Sequence, residues 1–337
     1  MRVTVVKPSE LGPGEAELWA SFQRVSPETV NPFFSMTFVQ AVGRARPSAR
    51  VAVVEDNSKI EAFLPFELTP KNIAIAIGWP MNDLHGFVSS GATIDARSVV
   101  RMTGLRGWVF DHAPASQELL VRYHYRGTTV QCPVIDLTVG YDTYFRDRSR
   151  SLRRKMAQSR HGLERDAGPL SLEWNSPNPQ HLRQLIEWKS RKYDFTGLLF
   201  SDPTALQIVE ELAMTDNVDC GGVLSVLLAG EKPIAFDLKL RSPRGLSGWF
   251  AAYDHGLARF SPGITLLLAV AQEAARRDIA MFDLGYGQHR YKFRLANNSY
   301  PVIKGAVWAS PIEHLGRAIS RRFRHVARYC IQAVKRG

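Results

Sequence analysis

Apolar residues in this chain change period repeatedly, from alternation to a spacing of three and four and back, and the order of those changes predicts its elements. Alternation predicts a strand at 2–6, then helices near 15–25 and 36–45. A strand–turn–strand pattern covers 50–68, a strand follows at 72–78, and a helical stretch near 94–104 leads to a strand at 107–111. After a basic stretch at 141–168, read as one long helix ending at Gly168, the order recurs. A strand near 170–175 precedes helices at 179–193 and 203–214, a hairpin at 223–241 and a strand at 246–252. A helix at 263–277, a strand at 280–284, a short helix at 288–295 and a strand near 302–308 complete the series.

The recurrence is visible in the residues. Val53, Lys59 and Ala62-Phe63 match Val226, Lys232 and Ala235-Phe236 at an offset of 173, and Phe110-Asp111 matches Phe282-Asp283 at 172. Two matches in register, some 50 positions apart, predict one architecture used twice. The fold class expected is therefore α+β, or mixed α/β, in two tandem units. The units are 1–140 and 169–310, joined by a basic linker helix at 141–168 and followed by an amphipathic tail helix at 311–337.

Composition narrows the classes. The chain of 337 residues is 45% hydrophobic, enough for two cores, and no apolar run reaches the length of a membrane span. "MRVTVVKPSELG" lacks the apolar core of a secretory signal, and Cys132, Cys220 and Cys330 are odd in number and far apart. Both point to a reducing, cytoplasmic setting. The net charge of +11 is concentrated in two places. Residues 146–165 hold eight Lys or Arg against Asp147 and Glu164, and 317–337 hold seven with no acid. In the tail, Leu315, Ile319, Phe323, Val326, Cys330 and Val334 form one apolar stripe, so the tail can lie on an anionic membrane face or dock on the protein itself.

"MFDLGYGQHRYKFRLAN" (281–297) offers a G-x-G pair, but Arg290 stands where a dinucleotide fingerprint needs a third glycine, and the next acid is Glu313. No zinc-ligand spacing, nucleophile elbow or Walker loop occurs, and no metal site is expected. A better candidate is "RFSPGITLLLAVAQEAARRD", in which Ser261 suits a helix N-cap, Pro262 the first helical position, and Gly263 leaves the first turn open to an anion.

A strand, a bulged segment, this turn and helix, a strand, and a short helix bearing a Tyr resemble the core of the GNAT acyl-CoA transferases. "AYDHGLARFSPGITLLL", "FDLGYGQHRYKFRLAN" and "NPFFSMTFVQAV" are similar to the tandem-GNAT branch called CelD-like, or Acetyltransf_6, which is related to the FemAB-type transferases. The resemblance implies direct transfer of an acetyl or other acyl group from acyl-CoA to an amine or hydroxyl, on a small molecule or saccharide of polysaccharide or envelope biosynthesis. It implies that the backbone of Trp249, Phe250, Ala251 and Tyr253 pairs with pantetheine, and that Arg259, Ser261, Pro262, Gly263 and Ile264 hold the pyrophosphate. The turn departs from the family pattern in having one glycine. The second unit would bind acyl-CoA, and the first, whose helix entry "SSGATIDARSVV" lacks a strong apolar face, would shape the acceptor pocket.

Acyl transfer needs a base for the attacking group and an acid for the departing thiolate. Tyr291 is the candidate acid, and Asp283, Asp237 and His289 are candidate bases. On the acceptor side, Trp188, Lys189, Lys192 and Tyr193 share one broad helix face, and Asp83 and His85 in "MNDLHGF" add contacts from the first unit. Two rivals use the same elements. An aminoacyl transferase would take charged tRNA on the basic linker, the one reading that involves nucleic acid, and an assembly scaffold would bind no CoA.

Overall fold

The computed structural model describes residues 1–310 apart from Pro27, Tyr193, Val218 and Gln288, and excepting the side chains of Lys192, Asp194 and Phe195. The candidate residues Lys192 and Tyr193 and the tail at 311–337 thus lie outside the described side chains and segments.

The first half runs β1 (Arg2–Val6), α1 (Pro13–Gln23), α2 (Met36–Ala45), β2 (Ala49–Asp56), β3 (Lys59–Leu68), β4 (Ile73–Ala76), β5 (Val88–Ser89), α3 (Ala96–Met102), β6 (Gly107–Pro114), α4 (Glu118–Val121) and β7 (Val130–Asp136). Between the halves lie α5 (Tyr141–Arg146) and α6 (Arg150–Ala167). The second half runs β8 (Leu170–Glu173), α7 (Pro179–Lys192), α8 (Asp194–Ser201), α9 (Pro203–Met214), β9 (Gly221–Ala229), β10 (Lys232–Arg241), β11 (Gly245–Tyr253), α10 (Pro262–Arg276), β12 (Met281–Asp283), α11 (Arg290–Leu295) and β13 (Asn298–Trp308). Among the described residues, no helix is long and apolar enough to cross a membrane.

The repeat is structural. The hairpins β2–β3 and β9–β10 each carry one unpaired residue in the second strand, Glu61 in one and Ile234 in the other, again 173 positions apart. Each half also holds one parallel pair, β4 with β6 and β11 with β12. The expected single linker helix is two helices. Ser149 accepts a hydrogen bond from the Leu152 amide and caps α6, which starts a new helix after Asp147 closes α5.

One sheet runs through the whole molecule in the order β1-β2-β3-β4-β6-β13-β7-β12-β11-β10-β9-β8, with β5 on the side of β3. Its centre is an exchange. β7, from the first half, pairs antiparallel with β12, while β13, from the second, pairs with β6 and also with β7. Each half is therefore completed by the other's last strand. Gly305 permits this at a crowded point, since a β-carbon there would fall 2.3 Å from the Tyr123 carbonyl oxygen and 2.5 Å from the Phe110 ring.

Helix α10 covers one face of the second half, over a core that includes Leu246, Leu266, Val270 and Phe282. On the opposite face a single core joins α1 and α2 of the first half to α7, α8 and α9 of the second. Arg46, nearly buried, ties the halves by ion pairs with Glu67 at 3.1 Å and Asp202 at 3.4 Å.

Candidate active site

The parallel pair β11–β12 is in register from Gly245–Met281 to Ser247–Asp283 and no further. Beyond that point β12 turns away through Gly285 and Gly287, both at positive φ (74° and 131°), while β11 continues to Tyr253 along β10. The pairing with β10 passes from Leu238–Phe250 to Lys239–Gly248, so Trp249 is an extra residue, a bulge that bends β11 away. An open backbone edge results, with exposed Ala251 and half-buried Tyr253 along it. Phe250 faces inward, its ring centroid 5.0 Å from that of Phe200.

The first half reaches into this fork. The segment after β4 is held by the Gly78 amide donating to Glu67 at 2.8 Å, by Asn82 donating to the Ile77 carbonyl at 2.9 Å, and by the Trp249 indole donating to the Met81 carbonyl at 3.0 Å. So anchored, it presents Asp83 to the bend in β12, where its carboxylate accepts from the Tyr286 amide at 3.3 Å. A β-carbon on Gly285 would lie 2.8 Å from Asp83 Oδ2 and 3.1 Å from the Gly248 carbonyl oxygen, so bend, bulge and carboxylate meet at one point.

Around that point the charges are buried. Lys292 Nζ donates to the Gly285 and Tyr286 carbonyls at 3.0 and 2.8 Å. Asp283 accepts from the Gly285 amide at 2.8 Å, from Asn31 at 3.0 Å and from the Tyr300 hydroxyl. Burial raises the Asp83 pKa to about 7, with Lys292 opposing the shift and Asp283 adding to it. Burial also raises Asp283, against hydrogen bonds from Tyr300 and Gly285, and lowers Lys292, against the pull of Asp83 and Asp283.

Asp283 also closes a cavity of about 360 Å³ between the halves. Asn31, Pro32 and Gln23 form its wall from the first half, and Gly245, Leu246, Met281 and Tyr300 from the second. The cavity lies at the end of the fork away from α10's N-terminus, and Arg24, Glu28, Asp219 and Arg244 also line it.

The remaining sequence candidates fall as follows. Asp237 is buried on β10 and ion-paired with the fully buried Lys239 at 3.2 Å, a partner two residues along the same strand face. Tyr291 is 39% exposed, with its ring 6.0 Å from that of the exposed His289. His289 lies close to the bend after β12, since a β-carbon on Gly287 would be 3.2 Å from its ring and 3.5 Å from Lys292 Nζ. Trp188 packs on the core, edge to face with Phe236 at 5.2 Å, whereas Lys189 reaches the β11 edge and donates to the Ala251 carbonyl at 3.3 Å. His85 is buried, its Nε2 accepting from the Asp111 amide at 3.1 Å.

The turn expected to hold pyrophosphate offers fewer donors than its sequence suggested. Ser261 is left-handed (φ 52°, ψ 52°) and makes no side-chain cap. The Ile264 and Thr265 amides donate to its carbonyl at 3.0 and 3.1 Å, the Ser261 amide is bonded to Ala258, and Pro262 has none. Gly263 is thus the open amide, beside the Tyr253 ring, whose Cδ1 would lie 3.2 Å from a β-carbon there. Arg259 pairs with Asp166 on α6 at 2.7 Å and lies over the Phe260 ring. At the matching helix start in the first half, the Asp95 carboxylate accepts from the Ser98 amide at 3.0 Å, so a side-chain anion already occupies that terminus.

Sequence reasoning missed Lys292, Asn31 and Tyr300. Lys292 carries a signal, since it is three residues before buried Leu295 on a six-residue helix whose other faces are exposed. Asn31 and Tyr300 are brought to Asp283 from 252 and 17 positions away, which no local pattern encodes.

Comparison with known proteins agrees with this architecture. Residues 150–293 match Acetyltransf_6, an acetyltransferase (GNAT) domain. No curated protein matches the chain. Among solved structures, FemX aligns at 11% identity over 95% of this chain and 100% of its own, with a TM-score of 0.61. A tandem GNAT protein from the clavulanic acid biosynthesis pathway aligns at 10% over 92% and 99%, with a TM-score of 0.53. The C-terminal domain of a lysylphosphatidylglycerol synthetase from Agrobacterium fabrum aligns at 14% over 82% and 88%, also at 0.53. At these identities the likeness is one of fold. With two like-built halves and a parallel pair in each, the chain has the fold of a tandem GNAT protein, and its residues 150–293 match an acetyltransferase (GNAT) domain.

Proposed function

We propose that this protein is an acyltransferase that moves an acyl group from acyl-CoA directly onto an amine or hydroxyl of an acceptor held between its two halves. Acetyl-CoA is the simplest donor. One observation carries the reading: β11 and β12 part at Ser247–Asp283, and the fork opens onto a partly buried carboxylate, Asp83, supplied by the other half.

In this reading the pantetheine arm lies along the edge of β11 from Tyr253 towards Gly248, bonded as a strand would be and taking the place of the Lys189 contact to the Ala251 carbonyl. The pyrophosphate lies by the Gly263 amide and the thioester at the bend. A β11 amide next to the Trp249 bulge faces the developing oxyanion. The acceptor comes through the cavity ending at Asp283. As its nitrogen or oxygen attacks the carbonyl, its proton passes to Asp83, whose raised pKa suits a base working near neutrality. The carbon–sulfur bond then breaks, and Tyr291 supplies the proton that turns the thiolate into free CoA. The mostly uncharged wall of the cavity favours an acceptor with an apolar body, and a saccharide or envelope precursor bearing one is the class we propose.

A competing donor, aminoacyl-tRNA, draws on the exposed Arg150, Arg154 and Lys155 of α6 and predicts binding that weakens steeply with salt. Calorimetric titration with acetyl-CoA separates the two. The wild type is expected to bind, and Gly263→Trp, which places a large ring against Tyr253, to bind at least tenfold more weakly. Absence of heat from the wild type with acetyl-CoA and longer acyl-CoAs would remove the proposal.

A further inference from the structure

On the α10 face, a second cavity of about 590 Å³ lies between α6, α10 and β8. Its floor is apolar: Met156 and Leu268 line it, and each is 6% exposed. Its mouth is cationic. Arg153 and Arg160 come from α6, Arg276 and Arg277 from α10, and the side chains of the last three are at least half exposed. Two acids partly offset the four arginines: Glu273 in the lining pairs with Arg276 at 3.3 Å and Arg277 at 3.0 Å, and Glu164 on α6 pairs with Arg160 at 3.0 Å, which leaves an excess of two positive charges at the mouth. Trp174 forms part of the wall, with the Arg277 guanidinium 5.0 Å from its ring centroid.

An apolar floor under an arginine rim fits one kind of occupant, a molecule with a hydrocarbon chain and an anionic end. We infer that this cavity binds a long-chain anion, with its phosphate or carboxylate among Arg153, Arg160, Arg276 and Arg277 and its chain against Met156 and Leu268. Guanidinium groups hold such oxyanions through paired N–H donors. The inference stands apart from the acyltransferase reading, because the cavity shares no residue with the fork.

Titration of the full chain with dodecyl phosphate below its micelle concentration, followed by tryptophan fluorescence, tests it. Saturable binding is expected, at least tenfold tighter than dodecyl maltoside, with the signal lost in Trp174→Phe. The double variant Arg160→Glu, Arg276→Glu should bind at least tenfold more weakly while its circular dichroism and acetyl-CoA titration stay unchanged. A second arm uses vesicles of anionic phospholipid. Vesicle binding that falls in the double variant identifies a membrane lipid as the source of the anion, and monomer binding without it identifies a free amphiphile. Equal affinity for dodecyl phosphate and dodecyl maltoside, or a double variant that binds like the wild type, would overturn the inference.

Discussion

Asp83 illustrates how much a single residue depends on its surroundings. In water its carboxyl would be ionised at neutral pH. Here burial outweighs the attraction of Lys292 and lifts its pKa from 3.8 to about 7. The folded chain therefore holds this proton more tightly than the unfolded chain. The resulting stability is complete below the ordinary carboxyl pKa and is lost as pH rises to about 7. Asp83→Asn should flatten that part of the stability–pH curve, measured by urea unfolding between pH 4 and 8. If Asp83 is the base, transfer should also rise through pH 7, and the variant should lose about 100-fold or more in kcat without that rise. Lys292→Met should raise the pKa of Asp83 further, by removing the charge that favours its ionised form, and move the activity profile to higher pH. The sequence singled out Asp83 in "MNDLHGF" as an acceptor contact, but its burial beside Lys292 and Asp283 was not legible there. Asp283 did stand out, as a carboxylate at a strand end in both copies of the repeat, but its partners come from distant segments.

At the scale of elements, hydrophobic period was a good guide where neighbours in sequence are neighbours in space. Both hairpins, the helix at 262–276 and the strand before it formed as expected, because strand pairing, an N-terminal proline and one apolar face are local properties. The open strand edge needed more. It depends on where β12 stops pairing and on the bulge at Trp249, which only the register reveals. The turn before α10 is likewise positioned from outside. Gly162 on α6 receives the Phe260 ring so closely that a β-carbon would fall 2.3 Å from Cε1. Gly162→Ala should therefore displace Phe260 and the turn it anchors. We expect a loss of about 1–3 kcal/mol in thermal unfolding and weaker acetyl-CoA binding by calorimetry, although residue 162 touches no ligand.

For the whole molecule, two halves built alike do not make two independent bodies. β7 and β13 each complete the other half's sheet, Arg46 bridges to Asp202, and one core spans both. Residues 1–140 and 141–310 expressed separately should each leave an unpaired central strand and be recovered insoluble. Expressed together, they should co-purify and regain the near-ultraviolet dichroism of the intact chain. The sequence showed the duplication but not the exchange, because β7 and β13 have ordinary strand patterns that do not specify a partner. The exchange also sets a timetable for biosynthesis. The slot beside β6 stays vacant until residues 298–308 leave the ribosome, so the first half cannot close as it emerges. Its unfinished strand, bearing Trp108 and Phe110, must wait through the translation of nearly two hundred further residues, an interval in which slowed elongation or chaperone shortage should cost yield before any effect on the finished protein.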